Sequence, residues 1–76
     1  MANIDKAVAA AAKQLDAITV IRQKGMFEGL PDNLKEIALL REKYHDANLD
    51  EIADMLHISK SGANHRFAKL LELAKR

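Results

Sequence analysis

The chain has 76 residues, 49% hydrophobic content, no cysteine and a formal net charge of +1, which favours one small domain. The lack of cysteine excludes disulfides and thiolate metal sites. The histidines at positions 45, 57 and 65 lack the paired spacing of a usual zinc site. The apolar run 7–12 is too short to cross a membrane, and the first residues do not resemble a signal peptide. We therefore expect a cytoplasmic protein without a cofactor.

The charge is distributed unevenly along the chain. Residues 28–56 contain three basic and eight acidic residues, a net charge of −5, whereas residues 57–76 contain five basic residues and one acidic residue, a net charge of +4. A local excess of positive charge is typical of a surface that binds a polyanion. The alternative is chance clustering on a solvated face.

The first helix is predicted to run from Asn3 or Ile4 to about Lys24, with Asn3 as its N-cap. Apolar residues recur at steps of three and four and form one stripe: Ile4, Val8, Ala11, Leu15 and Ile18. Val20 and Ile21 fall outside this stripe, which indicates either contact with a second surface or two exposed apolar residues. We divide the chain into an N-terminal connector or packing helix, residues 1–25, and a domain of residues 26–76.

The loop Gly25–Asp32 breaks the helical pattern, and its large apolar residues are predicted to fill the core: Met26, Phe27 and Leu30. Pro31 suits the start of a second helix, which we expect to extend from Asp32 to Tyr44. The predicted buried stripe of this helix is Leu34, Ile37, Leu40 and Tyr44. Arg41 lies at its edge, where the aliphatic stem can cover the core.

A third helix is predicted to begin after Asn48, because Glu51 follows three residues later in the spacing of a capping box. Its inward residues are predicted to be Ile52, Ala53, Met55 and Leu56. His57 occupies the following turn, and histidine tolerates a left-handed backbone comparatively well. We therefore interpret His57 as conformational.

A fourth helix is predicted to begin after Ser59 as N-cap and to end near Ala74. The helical period places one set of residues inside: Ala63, Phe67, Leu70, Leu71 and Ala74. The opposite side carries Ser61, His65, Lys69 and Glu72, with Asn64 and Arg66 on the flanks. Glycine at position 62 costs about 1 kcal/mol of helix propensity relative to alanine. Either the close approach of another surface or chance would explain why glycine is tolerated there.

Two short helices joined by a tight turn, the second polar and basic, form the pattern of a helix-turn-helix, whose second helix enters the major groove of DNA. The residues predicted to contact DNA are Ser59, Lys60, Ser61, Asn64, His65, Arg66 and Lys69. Asn64 can pair with adenine, and Lys60 or Arg66 with guanine. The alternative is an ordinary solvated helix face, and the sequence leaves open whether Arg66 reaches DNA or packs on the scaffold.

The segments LPDNLKEIALLREKY and ISKSGANHRFAKL together resemble the C-terminal helix-turn-helix domain of the sporulation and cell-division regulator WhiA. The most specific part is the run Lys60 to Arg66. The resemblance implies a bacterial transcription factor that binds promoter DNA and cooperates with transcription-machinery proteins. Members of that family usually carry an N-terminal region similar to LAGLIDADG homing endonucleases, which this sequence does not contain.

The sequence therefore predicts an all-α fold, a small four-helix domain containing a helix-turn-helix that binds double-stranded DNA. The alternative is a helical protein-interaction module that docks on a transcription-machinery partner through the same surface or through the alanine-rich first helix. The acidic middle of the chain favours this alternative, because it would repel DNA and suit a basic partner. An enzyme is not expected, since no phosphate loop, nucleophile elbow or assembled carboxylate site is present.

Overall fold

A computed structural model describes the backbone of residues 2–76 and the side chains of residues 11–76. The elements within this range are α1 (Ala2–Gln23), a 3₁₀ turn (Phe27–Gly29), α2 (Asp32–Lys43), α3 (Leu49–Leu56) and α4 (Lys60–Ala74). Residues 2–76 contain no β-strand. The prediction of a small all-α domain with four helices is confirmed.

Helix α1 packs against both α4 and α2. Ile18 and Ile21 are completely buried, and Val20 is half-buried, so α1 does contact more than one surface. The helix already includes Asn3, but the proposed cap and the first part of the predicted stripe concern side chains outside the described residues. Ile18 and Ile21 share one core with residues of the later helices. The boundary at residue 25 stays a prediction.

The end of α1 is closed by a Schellman motif centred on Gly25. The Gly25 N–H donates to the Arg22 carbonyl and the Met26 N–H to the Ile21 carbonyl, both at 3.0 Å, and Gly25 has a φ of +72°. This left-handed backbone is the reason for glycine here. Phe27 and Leu30 in the following loop are buried and Met26 is partly buried, which confirms their prediction as core residues.

Helix α2 contributes Leu34, Ile37 and Ala38 to the core. The predicted stripe is correct at Leu34 and Ile37, but Leu40 is only half-buried. Tyr44 is 39% exposed, so its prediction as a buried residue is wrong. The backbone leaves the helical path at Tyr44, where φ is −120° and ψ is 75°, and the side chain therefore does not continue the stripe.

Arg41 is more deeply buried than predicted, at 2% exposure. Its Nη1 donates to the carbonyl oxygens of Tyr44, His45 and Ala47 at 3.3, 3.2 and 2.7 Å. The guanidinium carbon lies 5.3 Å from the ring centroid of Phe67 in α4. Burial lowers the pKa of Arg41, and one cation thus ties the turn between α2 and α3 to the core.

Helix α3 begins with the predicted capping box. The Asn48 Oδ1 accepts from the Glu51 N–H at 2.8 Å, and the Asn48 N–H donates to the Glu51 Oε1 at 3.1 Å. Ile52 and Ala53 are buried and Leu56 is partly buried. Met55, predicted to face inward, is 41% exposed. The buried face is centred among Ile52, Ala53 and Leu56, which leaves Met55 roughly 110° away around the helix.

Candidate nucleic-acid interface

The turn between α3 and α4 depends on the left-handed backbone of His57, with φ 57° and ψ 40°. The His57 N–H donates to the Asp54 carbonyl at 3.1 Å and the Ile58 N–H to the Ala53 carbonyl at 3.0 Å. This is the pattern that closes α1, with histidine at the position that glycine usually takes. The conformational interpretation of His57 is confirmed.

The start of α4 is fixed by Ser59, whose Oγ accepts from the Gly62 N–H at 3.0 Å. The predicted N-cap is therefore present. A β-carbon added at Gly62 would lie 3.2 Å from the same Oγ. Glycine at position 62 therefore leaves room for the Ser59 hydroxyl. This contact within the chain explains the glycine without the close approach of another surface.

The inner side of α4 holds the helix in place. Ala63, Phe67 and Leu70 are almost completely inaccessible, and α4 packs against α1, α2 and α3. Leu71 and Ala74, predicted on the same side, are half-buried. The small Ala63 lies in the same core cluster as Ala53 of α3, and two alanines permit the close approach of helices that such a turn requires.

The outer side of α4 brings together most of the predicted site residues. The following residues are exposed: Ser59, Lys60, Ser61, Asn64, His65 and Lys69. We call Lys60, Ser61, Asn64, His65 and Lys69 the outer face of α4. The first turn presents backbone N–H groups and the positive end of the helix dipole, which favour an anion.

Lys60 has an acidic neighbour, Asp50 of α3. Its Nζ lies 3.8 Å from Asp50 Oδ2 of α3, and both side chains are mostly exposed. An exposed pair at this distance is weak, so Lys60 can exchange Asp50 for a phosphate or a base edge at little cost. The pair places one acidic residue of α3 beside the basic face.

Arg66 is the exception among the predicted site residues, because it is half-buried. It lines a cleft of about 380 Å³ between the start of α2 and the second half of α4. The α2 wall includes Asn33 and Leu34, and the opposite wall includes Lys69 and Arg76. We call this the α2–α4 cleft. Ser61, in the first turn of α4, does not line this cleft.

Sequence reasoning did not identify Asn33 and Arg76 as neighbours of the basic helix. They are 43 residues apart in the sequence, and only the packing of α2 on α4 places both at one cleft. The one indication in the sequence was the concentration of basic residues in 57–76, which includes Arg76. It does not predict where in the structure Arg76 lies.

Among the residues whose side chains the structure describes, no group of three or more histidine, cysteine or acidic residues is arranged to hold a metal ion. Among the helices described, none is long and apolar enough to span a membrane.

Comparison with known proteins identifies similar chains. Residues 1–74 match the family described as the WhiA C-terminal HTH domain. Proteins named "Probable cell division protein WhiA" are 47% identical in Staphylococcus haemolyticus, 49% in Staphylococcus carnosus and 49% in Lachnoclostridium phytofermentans. Each alignment covers 96% of this chain and 24% of the relative, so the chain spans about a quarter of their length. No solved structure matches significantly.

Proposed function

Because the chain belongs to the family of WhiA C-terminal helix-turn-helix domains, we propose that it binds double-stranded DNA sequence-specifically. In this proposal α4 enters the major groove, and α3 crosses the DNA backbone beside it. The observation that carries the proposal is the outer face of α4, which is exposed and polar on a helix held rigidly from behind by Ala63, Phe67 and Leu70.

The side chains of the outer face have distinct proposed roles. The Asn64 amide can donate to and accept from adenine, and Lys60 can donate to the guanine acceptors. Ser61 and His65 can donate to base edges or to phosphate, and Lys69, two turns along the helix, is best suited to phosphate. Ser59 contributes through its cap, which keeps the first turn of α4 ordered.

A titration of labelled promoter fragments and of random-sequence DNA at two salt concentrations tests the proposal. We expect tighter binding to a promoter fragment and a steep loss of affinity with salt, because phosphate contacts release counterions. Affinity that hardly changes between low and moderate salt would contradict the proposal.

Two substitutions test the outer face directly. Lys60→Ala and Asn64→Ala should each weaken binding to the preferred sequence by about 1–3 kcal/mol, the usual cost of a lost base contact. The matched controls, Lys43→Ala and Gln23→Ala, change exposed residues away from this face and should leave the affinity near wild type. Unchanged affinity in both test variants would show that the outer face does not contact DNA.

A second candidate function is protein binding through the acidic middle of the chain. Leu39 on α2 and Met55 on α3 are 51% and 41% exposed, and both lie in the segment 28–56 with its net charge of −5. Exposed apolar side chains among carboxylates suit a basic partner such as a transcription-machinery subunit. Leu39→Gln with Met55→Gln should then abolish binding of such a partner after nuclease treatment and leave DNA affinity unchanged.

The names of the relatives, which print cell division, and the family resemblance support a proposal for the broader role. We propose that the chain acts without catalysis in a bacterial transcription regulator of cell division or sporulation, at the nucleoid in the cytoplasm. A homing-endonuclease-like region of the same protein is a further proposed partner. Transcript levels of genes next to bound promoters, compared between wild type and Asn64→Ala, test this role, and identical levels would contradict it.

A further inference from the structure

We propose that the α2–α4 cleft binds a phosphate of the DNA backbone at the edge of the groove that α4 enters. This inference rests on the proposed function and adds a second contact on the same duplex. It assigns to Arg66 and Arg76 a contact that carries no base information, separate from the outer face of α4.

The first argument is the charge of the cleft. Arg66, Lys69 and Arg76 line it together with a single carboxylate, Glu72. Glu72 is already paired with Arg76, at 3.3 Å. Arg66 and Lys69 form no ion pair with any side chain in residues 11–76. Positive charge is thus left without a partner at the cleft, and an anion would supply one.

The second argument is position. His65 and Lys69 belong both to the outer face of α4 and to the lining of the cleft. The cleft therefore adjoins the outer face, and a duplex on the outer face would lie beside the mouth of the cleft. An acidic protein segment would match the charge as well, but it would have to occupy surface that the proposed DNA interface already uses.

The third argument is the apolar part of the lining. Pro31, Leu34 and Leu73 line the cleft alongside the basic groups. Half-burial of Arg66 against such a surface reduces its contact with water, which strengthens its attraction for a phosphate. A guanidinium can also bind two phosphate oxygens at once. Apolar groups beside it suit the deoxyribose next to the phosphate.

The test compares two double variants that remove the same charge. Arg66→Gln with Arg76→Gln changes the cleft, whereas Lys43→Gln with Lys75→Gln changes exposed cations that do not line it. Fluorescence anisotropy with a labelled 30-base-pair duplex of random sequence measures affinity from 0.05 to 0.3 M salt. Loss of one phosphate contact lowers the salt slope by about 0.9, so the cleft variant should lose about 0.9 in slope and up to about eightfold in affinity at 0.1 M salt.

The control variant should lose less than about threefold, because general charge attraction is screened at this salt concentration. Equal losses in the two double variants would overturn the inference and leave the proposed function intact. A wild-type chain that does not bind the duplex would overturn both. If the cleft variant bound DNA like wild type but no longer bound a poly-glutamate peptide, the cleft would bind an acidic protein and not DNA.

Asn33→Glu provides an independent test, because its result does not depend on whether the protein stays folded when Arg66 is replaced. Position 33 is exposed in the first turn of α2, where a carboxylate is compatible with the helix dipole. We expect at least a tenfold loss of duplex affinity from repulsion of the phosphate, against less than threefold for Gln23→Glu. Equal affinities of these two variants would also overturn the inference.

Discussion

Replacement of Arg41 by methionine is expected to destabilise the domain far more than replacement of a surface arginine. Methionine retains much of the apolar stem but removes the guanidinium donor from three carbonyls. The Tyr44 carbonyl then keeps only the Ala47 N–H, at 3.3 Å. The turn between α2 and α3 would then be held only by its own backbone and by the capping box. Arg22 offers the comparison, because it pairs with Glu42 at 2.7 Å on the surface.

The loss can be estimated from the contacts of Nη1. A hydrogen bond from a charged donor contributes about 1.5–3 kcal/mol, and the two hydrogens of Nη1 cannot serve three acceptors at full strength, so the gross gain is about 3–5 kcal/mol. Desolvation of the guanidinium offsets part of this gain. We expect Arg41→Met to reduce the free energy of unfolding by about 2 kcal/mol, and Arg41→Ala by about 4 kcal/mol because packing is also lost.

Urea denaturation and thermal denaturation, both followed by circular dichroism at 222 nm, measure these changes. A domain of this size has a free energy of unfolding of about 4–11 kcal/mol, so a loss of 2 kcal/mol should lower the melting temperature by roughly 8–16 °C. Arg22→Met should lower it less, because the bidentate Arg22–Glu42 pair is partly exposed and both groups can exchange each other for water. An Arg41→Met variant within about 0.5 kcal/mol of wild type, below the typical contribution of one such hydrogen bond, would refute the role of Arg41 in the turn.

Substitutions at three helix ends test the local geometry by thermal denaturation. His57→Gly should raise stability by about 0.5 kcal/mol because glycine adopts a positive φ without strain, whereas His57→Val should lower it by more than about 1 kcal/mol; the reverse order would contradict the left-handed turn. Gly62→Ala should be nearly neutral in wild type but should stabilise a Ser59→Ala variant by about 1 kcal/mol, and equal effects in both backgrounds would show that the two side chains do not crowd. Asn48→Ala should cost about 1 kcal/mol and Asn48→Asp much less, because aspartate also caps; equal losses would exclude the capping box.

The helix ends could be predicted from sequence because their causes are local. Asn48 and Ser59 cap the first turns that follow them, and each needs only the backbone a few residues away. His57 is similar, since the need for a left-handed residue arises within one turn of the chain. The outer face of α4 followed from the helical period once Ala63 was placed inside.

The errors have other causes. Tyr44 was assigned to the buried stripe of α2, but the helix ends at Lys43 and the backbone departs from helical geometry at Tyr44. The remaining errors arise from the packing of helices against one another. The exposure of Met55 depends on how α3 is rotated against α4, where Ala53 takes the inner position. The depth of Arg41 and the location of Arg66 likewise depend on the way α2 meets α4, which no local pattern specifies.

The position of Arg41 also shows that the segment needed to form the core is longer than the segment that would contact DNA. Arg41 precedes the helix-turn-helix in sequence, yet it binds the carbonyl of Ala47 directly before α3 and lies over Phe67 of α4. A peptide restricted to residues 48–76 would lack this residue and the core side chains of α1 and α2. The helix-turn-helix therefore shares one hydrophobic core with α1 and α2, and the turn that precedes it is held by a residue that it does not contain.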